Sequence, residues 1–234
     1  MRQIPNYGII GSGRLSCHLS HYFSSSNVHY NSWSRKHNSA TDLPEFVNKS
    51  DVIFLLIKDD AIESFIKQHP VIKSKILIHC SGSLITDKAI GMHPLMSFGD
   101  ELYDYQTYQR MAFVIDENAD FKQIFPMLEN PHYKIKREQK PYYHALCVMS
   151  GNFSSILWSK LFSELEQKLN IPKEAAFFYL ESICNNLMHD HKTALTGPLI
   201  RGDQATINSN LAALSDDAFL PIYQAVVELF GARQ

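Results

Sequence analysis

Residues 8–17 read GIIGSGRLSC, directly behind the apolar lead-in Ile4-Pro5-Asn6-Tyr7. An apolar run that ends in glycine and opens a helix is what a buried parallel strand followed by a tight turn looks like. Gly11 allows the turn, and Gly13 lets the backbone approach a pyrophosphate. Phosphates would rest on the free N–H groups of Ser12, Gly13, Arg14 and Leu15 at the start of the next helix, whose dipole favours anions. The third glycine of the usual fingerprint is replaced by Ser16, small enough for helix–strand packing.

The chain then alternates. Residues 28–33 form a second strand candidate. TDLPEF (41–46) opens a short helix, with Asp42 and Glu45 at capping-box spacing and Pro44 in its first turn. DVIFLLI (51–57) is apolar on both faces and is expected at the sheet centre. DDAIESFIKQ follows as a helix, with Asp59 and Asp60 read as caps rather than as an acid–base pair, and KILIHC (75–80) is the next strand. Residues 110–116 and 132–136 read as two more strands around a helix over 120–129. From about residue 138 the period is helical throughout, with helices over 141–169, 173–191, 204–214 and 217–230. The expected fold class is α/β: a doubly wound parallel (Rossmann) sheet over residues 1–137, then an all-helical domain over 138–234.

At the end of the second strand, where sites for NAD place an acid, this chain has Ser34, Arg35 and Lys36. A carboxylate there would repel a 2′-phosphate, whereas a hydroxyl beside a guanidinium binds one. The expected cofactor is therefore NADP. Ile57 and Lys58, at the carboxyl edge of the central strand, and Ser81, at the edge of the next, complete the expected cofactor set.

Four residues are candidates for the chemistry. His93 precedes a proline on the same presumed edge. His144, Val148, Gly151, Asn152 and Ser155 share one face of the first C-terminal helix at α-helical spacing, so His144 reads as a proton donor and Asn152 as an orienting group. Arg201, among glycines and a proline in ALTGPLIRGDQATINSN (194–210), matches a substrate carboxylate, with an Arg201–Asp203 bridge as the competing reading. HDH (189–191) offers two metal ligands without a third, so no metal is expected.

The formal net charge of −2 offers nucleic acid no electrostatic footing. No apolar run approaches the length of a membrane span, no signal-peptide layout is evident, and no membrane partner is expected. Four dispersed cysteines, without a CxxC pair, point to free thiols in a reducing cytoplasm.

Taken in order, GIIGSGRLS, WSR, DVIFLLIKDDAI, HCSGSL, MHPLMSF, YHALCVMSGN and ALTGPLIRGDQATINSN resemble the Rossmann-like NADP oxidoreductases with a helical C-terminal domain. These are relatives of pyrroline-5-carboxylate reductase and 6-phosphogluconate dehydrogenase, and include an alternative class of ketopantoate reductases. The resemblance implies reduction of 2-dehydropantoate to pantoate, with imine reduction or non-catalytic NADP sensing as alternatives. It further implies a cleft between the domains and a homodimer built through the helical domain. One departure stands out: the better-known reductases carry a lysine one turn before the asparagine, and here that position is Val148.

Overall fold

The computed structural model describes residues 4–231; the outermost positions of both expected domains, 1–3 and 232–234, lie outside it. The described residues form two compact units that part between Ser155 and Ile156.

The first unit is built on a seven-stranded sheet: β1 Tyr7–Ile10, β2 Tyr30–Trp33, β3 Val52–Leu55, β4 Ile76–His79, β5 Ile90–Leu95, β6 Ala112–Asp116 and β7 His132–Ile135, in the order β2-β1-β3-β4-β5-β6-β7. Pairing is parallel throughout except between β5 and β6. Its helices are α1 Arg14–Ser25, α2 Leu43–Asn48, α3 Asp59–Gln68, α4 Tyr105–Gln109, α5 Phe121–Ile124 and α6 Lys140–Cys147.

Because strand side chains alternate, the central strands feed two cores. Tyr7, Ile9, Val52, Phe54 and Ile78 face one, with Leu19, Phe23, Phe113 and Phe125. Ile10, Ile53, Leu55 and Leu77 face the other, with Phe46, Ile62, Phe65 and Ile66. Such two-faced burial is what reads in sequence as an unbroken apolar run.

Several elements depart from the sequence pattern. β5 was not expected as a strand, and it carries Pro94, which has no N–H for a ladder bond. It survives because β4 pairs only with Ile90 and Gly91; beyond that point β5 has a free flank, where a missing N–H costs nothing. The expected helix over 120–129 stops at Ile124, ahead of Pro126. The capping box lies one turn earlier than expected, between Ser39 and Asp42. The boundary at 137–138 marks where strands end, yet contacts keep residues through 155 with the sheet, because α6 folds back on it through Lys140 and Tyr143.

The expected helix over 141–169 is three segments: α6, a π-helical stretch Val148–Phe153, and α7 Ser154–Gln167. The second unit continues with α8 Phe177–His189, α9 Pro198–Arg201, α10 Gln204–Ala213 and α11 Leu220–Gly231. Lys160 bridges Glu164 and Asp217, and Trp158 packs on Phe162 and Tyr179. No described helix is long and apolar enough to cross a membrane.

At Gly8 the chain around α2 packs directly on the sheet: a Cβ there would lie 2.5 Å from Ser50 Oγ and 2.7 Å from Phe46 Cζ. Gly8→Ala is expected to cost about 1–3 kcal/mol through overpacking and to lower Tm by several degrees. Calorimetry checks this, and an unchanged Tm would show that α2 is free to move.

Candidate functional site

The turn after β1 is held tightly. Gly11 has φ +138°, and a Cβ on it would overlap the Leu56 carbonyl, so only glycine fits. Its N–H donates to the Trp33 carbonyl (3.0 Å), and Leu56 N–H donates to Ile10 (2.8 Å). Ser16 has a use that the packing reading missed: its hydroxyl donates to the Gly11 carbonyl at 3.0 Å, bracing the turn from within α1. Gly13 is the N-cap of α1 and makes no side-chain cap, and a Cβ there would meet no atom within 4 Å.

A cavity of about 640 Å³ opens above this turn. Gly11, Ser12, Gly13, Arg14, Leu15, Ser34, Arg35, Lys36, Ile57 and Lys58 all line it, so ten of the sequence-derived positions converge on one space. Four of its lining residues are cations (Arg14, Arg35, Lys36, Lys58) and none is acidic, in a chain of net charge −2. Arg14 pairs with the exposed Asp100 at 2.6 Å; among the described residues no carboxylate pairs with Arg35, Lys36 or Lys58.

Ser81 is placed elsewhere. It is buried, its hydroxyl donates to Asp59, and it accepts from Leu84 N–H (3.0 Å), closing the loop behind β4. Asp59 therefore spends its carboxylate on Ser81 and does not cap α3, whose N-cap is Lys58.

Beyond β4 a second cluster forms under α6. His93 Nδ1 lies 2.8 Å from the Tyr143 hydroxyl, and the His93 and His144 rings meet at right angles with centroids 5.7 Å apart. Both imidazoles close on Gly82: a Cβ there would overlap His144 Cδ2 and lie 3.1 Å from His93 Cδ2. Beneath them Lys140 Nζ and Asp116 Oδ1 form a buried ion pair at 2.8 Å, and Asp116 Oδ2 accepts from Gly91 N–H at 2.7 Å. A Cβ on Gly91 would overlap Lys140 Nζ, so this glycine is the socket for the ammonium. His79, fully buried, faces the same row, with Nδ1 accepting from Ser81 N–H at 3.2 Å.

Burial, with the Lys140 charge, pushes His79 down to about 4. Burial, with His144 and Lys140, does the same to His93. Sequence reasoning missed Tyr143, Lys140, Asp116 and His79. Gly91 before His93 was the one available signal of a close approach.

Asn152 and Arg201 do not join this description. Asn152 is exposed in the π-helical stretch. There i→i+5 bonding changes the turn per residue, so positions from Val148 onward depart from straight-helix spacing. Arg201 ends α9, followed by Gly202 in the left-handed conformation. The alternative Arg201–Asp203 bridge is not formed; Asp203 instead caps α10 through Thr206 N–H at 3.1 Å. The four cysteines are free. Among the described residues no three His, Cys, Asp or Glu side chains converge as metal ligands.

Residues 116–229 match a family model described as a domain of unknown function, DUF2520. No curated protein matches the chain in sequence. Among solved structures, a Bacteroides fragilis protein described as an NADP oxidoreductase superposes with a TM-score of 0.78 at 21% identity, covering 97% of each chain. The NADP-bound pyrroline carboxylate reductase of Plasmodium falciparum gives 0.60 at 15%, covering 98% of this chain and 97% of that one. An imine reductase from Myxococcus stipitatus, in complex with NADP+, gives 0.64 at 16%, covering 97% and 93%. At these identities the likeness is one of fold, a Rossmann-like sheet followed by helices.

The two depressed histidines set the acid behaviour. Between pH 6.5 and 4 the unfolded chain binds protons at His79 and His93 that the folded one refuses. Stability is thus whole above pH 6.5 and falls as pH drops, by up to about 1.4 kcal/mol per pH unit for each imidazole. Chemical denaturation from pH 7 to 4 checks this. His93→Gln is expected to flatten the profile, and an unchanged slope would remove His93 from it.

Proposed function

We propose that this chain is an NADPH-dependent reductase of a small 2-oxo acid, with 2-dehydropantoate, reduced to pantoate, as its substrate in pantothenate and coenzyme A biosynthesis. The observation that carries the coenzyme half is the cavity above the phosphate turn, with four cations and no carboxylate among its lining residues. Gly13 leaves its backbone open to a pyrophosphate. Ser34, Arg35 and Lys36 stand where a 2′-phosphate would be read, with charge-assisted hydrogen bonds available from the two cations. When bound, NADPH supplies the hydride for the carbonyl carbon.

The chain's own groups take the remaining tasks. His144, half-buried over Gly82, delivers the proton to the developing alkoxide. His93 lies beside it as a second polar group toward the same oxygen. Asn152 orients the carbonyl, and Arg201, unpaired among the described residues, holds the substrate carboxylate bidentately. A second reading, reduction of a cyclic imine, is favoured by the names of the P. falciparum and M. stipitatus structures.

A cytoplasmic homodimer fits the same reading. The helical unit leaves Phe178, Tyr179, Met188, Ile200 and Leu229 more than half exposed, which is more apolar surface than a lone soluble unit usually shows. Sedimentation giving a single copy would remove the dimer from the proposal.

The test is NADPH oxidation with 2-dehydropantoate and with pyrroline-5-carboxylate, repeated with NADH. Turnover of the first alone is expected. Arg35→Asp should weaken NADPH by roughly 10–100-fold and leave NADH nearly unaffected; equal losses would overturn the 2′-phosphate assignment. His144→Ala and Arg201→Ala should each lower kcat/KM by about tenfold or more, and near-normal values would overturn their roles.

A further inference from the structure

We propose that Tyr143 and Lys140 are positioning residues for His93. Tyr143 fixes the imidazole as its Nε2–H tautomer, and Lys140, seated over Gly91 by Asp116, places a positive charge behind the same ring. His93 is thereby a neutral hydrogen-bond donor on the edge it turns toward Gly82 and His144.

The tautomer follows from who can donate to whom. The Tyr143 hydroxyl is 2.8 Å from His93 Nδ1. In one arrangement Tyr143 O–H donates to an imidazole nitrogen. In the reverse arrangement His93 Nδ1–H donates to a phenol oxygen, a poorer acceptor than the imidazole nitrogen. The first uses the better acceptor and leaves the ring proton on Nε2. That nitrogen adjoins Cδ2, the ring atom 3.1 Å from where a Gly82 Cβ would stand.

The charge state follows from the register. Gly91 and His93 are two apart on β5 and so lie on one face of the sheet. Gly91 pairs with His79 on β4, and Asp116 ends β6 beside it. The groups around His93 are thus Lys140, Tyr143 and His144 from α6, His79 from β4, and Asp116 from β6, with Asp59 behind Ser81. Asp116 is the one carboxylate bonded in that row, and Lys140 already holds it at 2.8 Å. A second proton on His93 would face a buried ammonium and another imidazole, with no free anion to answer it. A neutral donor polarises a carbonyl without giving up its own proton, which separates the work of His93 from that of His144. This catalytic consequence rests on the reductase reading above; the tautomer and its causes do not.

The experiment is two-bond proton–nitrogen NMR on the full chain labelled with ¹⁵N-histidine, from pH 8 to 5. His93 is expected to show a pyridine-type Nδ1 and a pyrrole-type Nε2 with no titration across that range. Tyr143→Phe should move both nitrogens toward the averaged shifts of mixed tautomers. It should also lower kcat by about tenfold, with KM changed less than about twofold. Lys140→Met should bring the His93 titration up into the range, and Asp116→Asn, which keeps the ammonium, should not. An Nδ1–H tautomer, a parent His93 titrating near 6.5, or Tyr143→Phe spectra identical to the parent would each overturn the proposal. A parent protein with the expected spectra that reduces neither a 2-oxo acid nor an imine would overturn the reductase reading and leave the positioning of His93 supported.

Discussion

The buried pair between Asp116 and Lys140 is the interaction on which the histidine cluster of the first unit depends. One carboxylate oxygen takes the Gly91 N–H and the other takes the ammonium, so a single side chain ties together β5, β6 and the start of α6. Burying two charges is costly, and an apolar replacement of the same shape is often no less stable. Removing one partner is different, because it leaves an uncompensated charge at a cost of about 3–5 kcal/mol. What the pair contributes is uniqueness of place: the ammonium fits only where residue 91 has no side chain. Tyr143 and His144, one turn further along α6, inherit that placement.

The cavity above the turn after β1 is built differently. Its lining joins the glycine turn and four cations to apolar side chains such as Leu56, Ile57 and Phe65, and the turn is braced by the Ser16 hydroxyl on the Gly11 carbonyl. Three cations without a carboxylate partner among the described residues, Arg35, Lys36 and Lys58, suit a ligand that brings its own negative charge. The two clusters lie along the same carboxyl edge of the parallel strands, where ligands of open α/β sheets bind.

The fold was readable wherever period and burial coincide. The runs at 8–10 and 51–57 are apolar on both faces because both faces are covered, and the glycines after β1 announce a turn that only glycine can make. The cavity residues were readable for the same reason, since they sit at strand ends that local pattern locates. The imidazole cluster was only half readable. His93 and His144 stood out singly, but Lys140 reads as a surface lysine, and its burial is decided by Asp116, 24 residues away. β5 was not read as a strand, and the acceptability of its Pro94 depends on how far β4 extends. The π-helical stretch between His144 and the end of the expected helix has no signature in hydrophobic period at all.

The stagger of β5 determines how far the sheet reaches. β5 begins where β4 is ending, with Ile90 opposite Ile78 and Gly91 opposite His79, so four of its residues stand above the neighbouring strand like a parapet. β6 and β7 run back down this parapet, and α6 climbs it again from the level of Asp116 to the level of His93. Sliding β5 back by two residues would preserve every inward and outward face, yet it would sink His93 by about 7 Å. Alternation cannot forbid that slip. The Gly91 socket forbids it, since only one glycine lies along this strand, and the height of the wall is thereby set by a missing side chain.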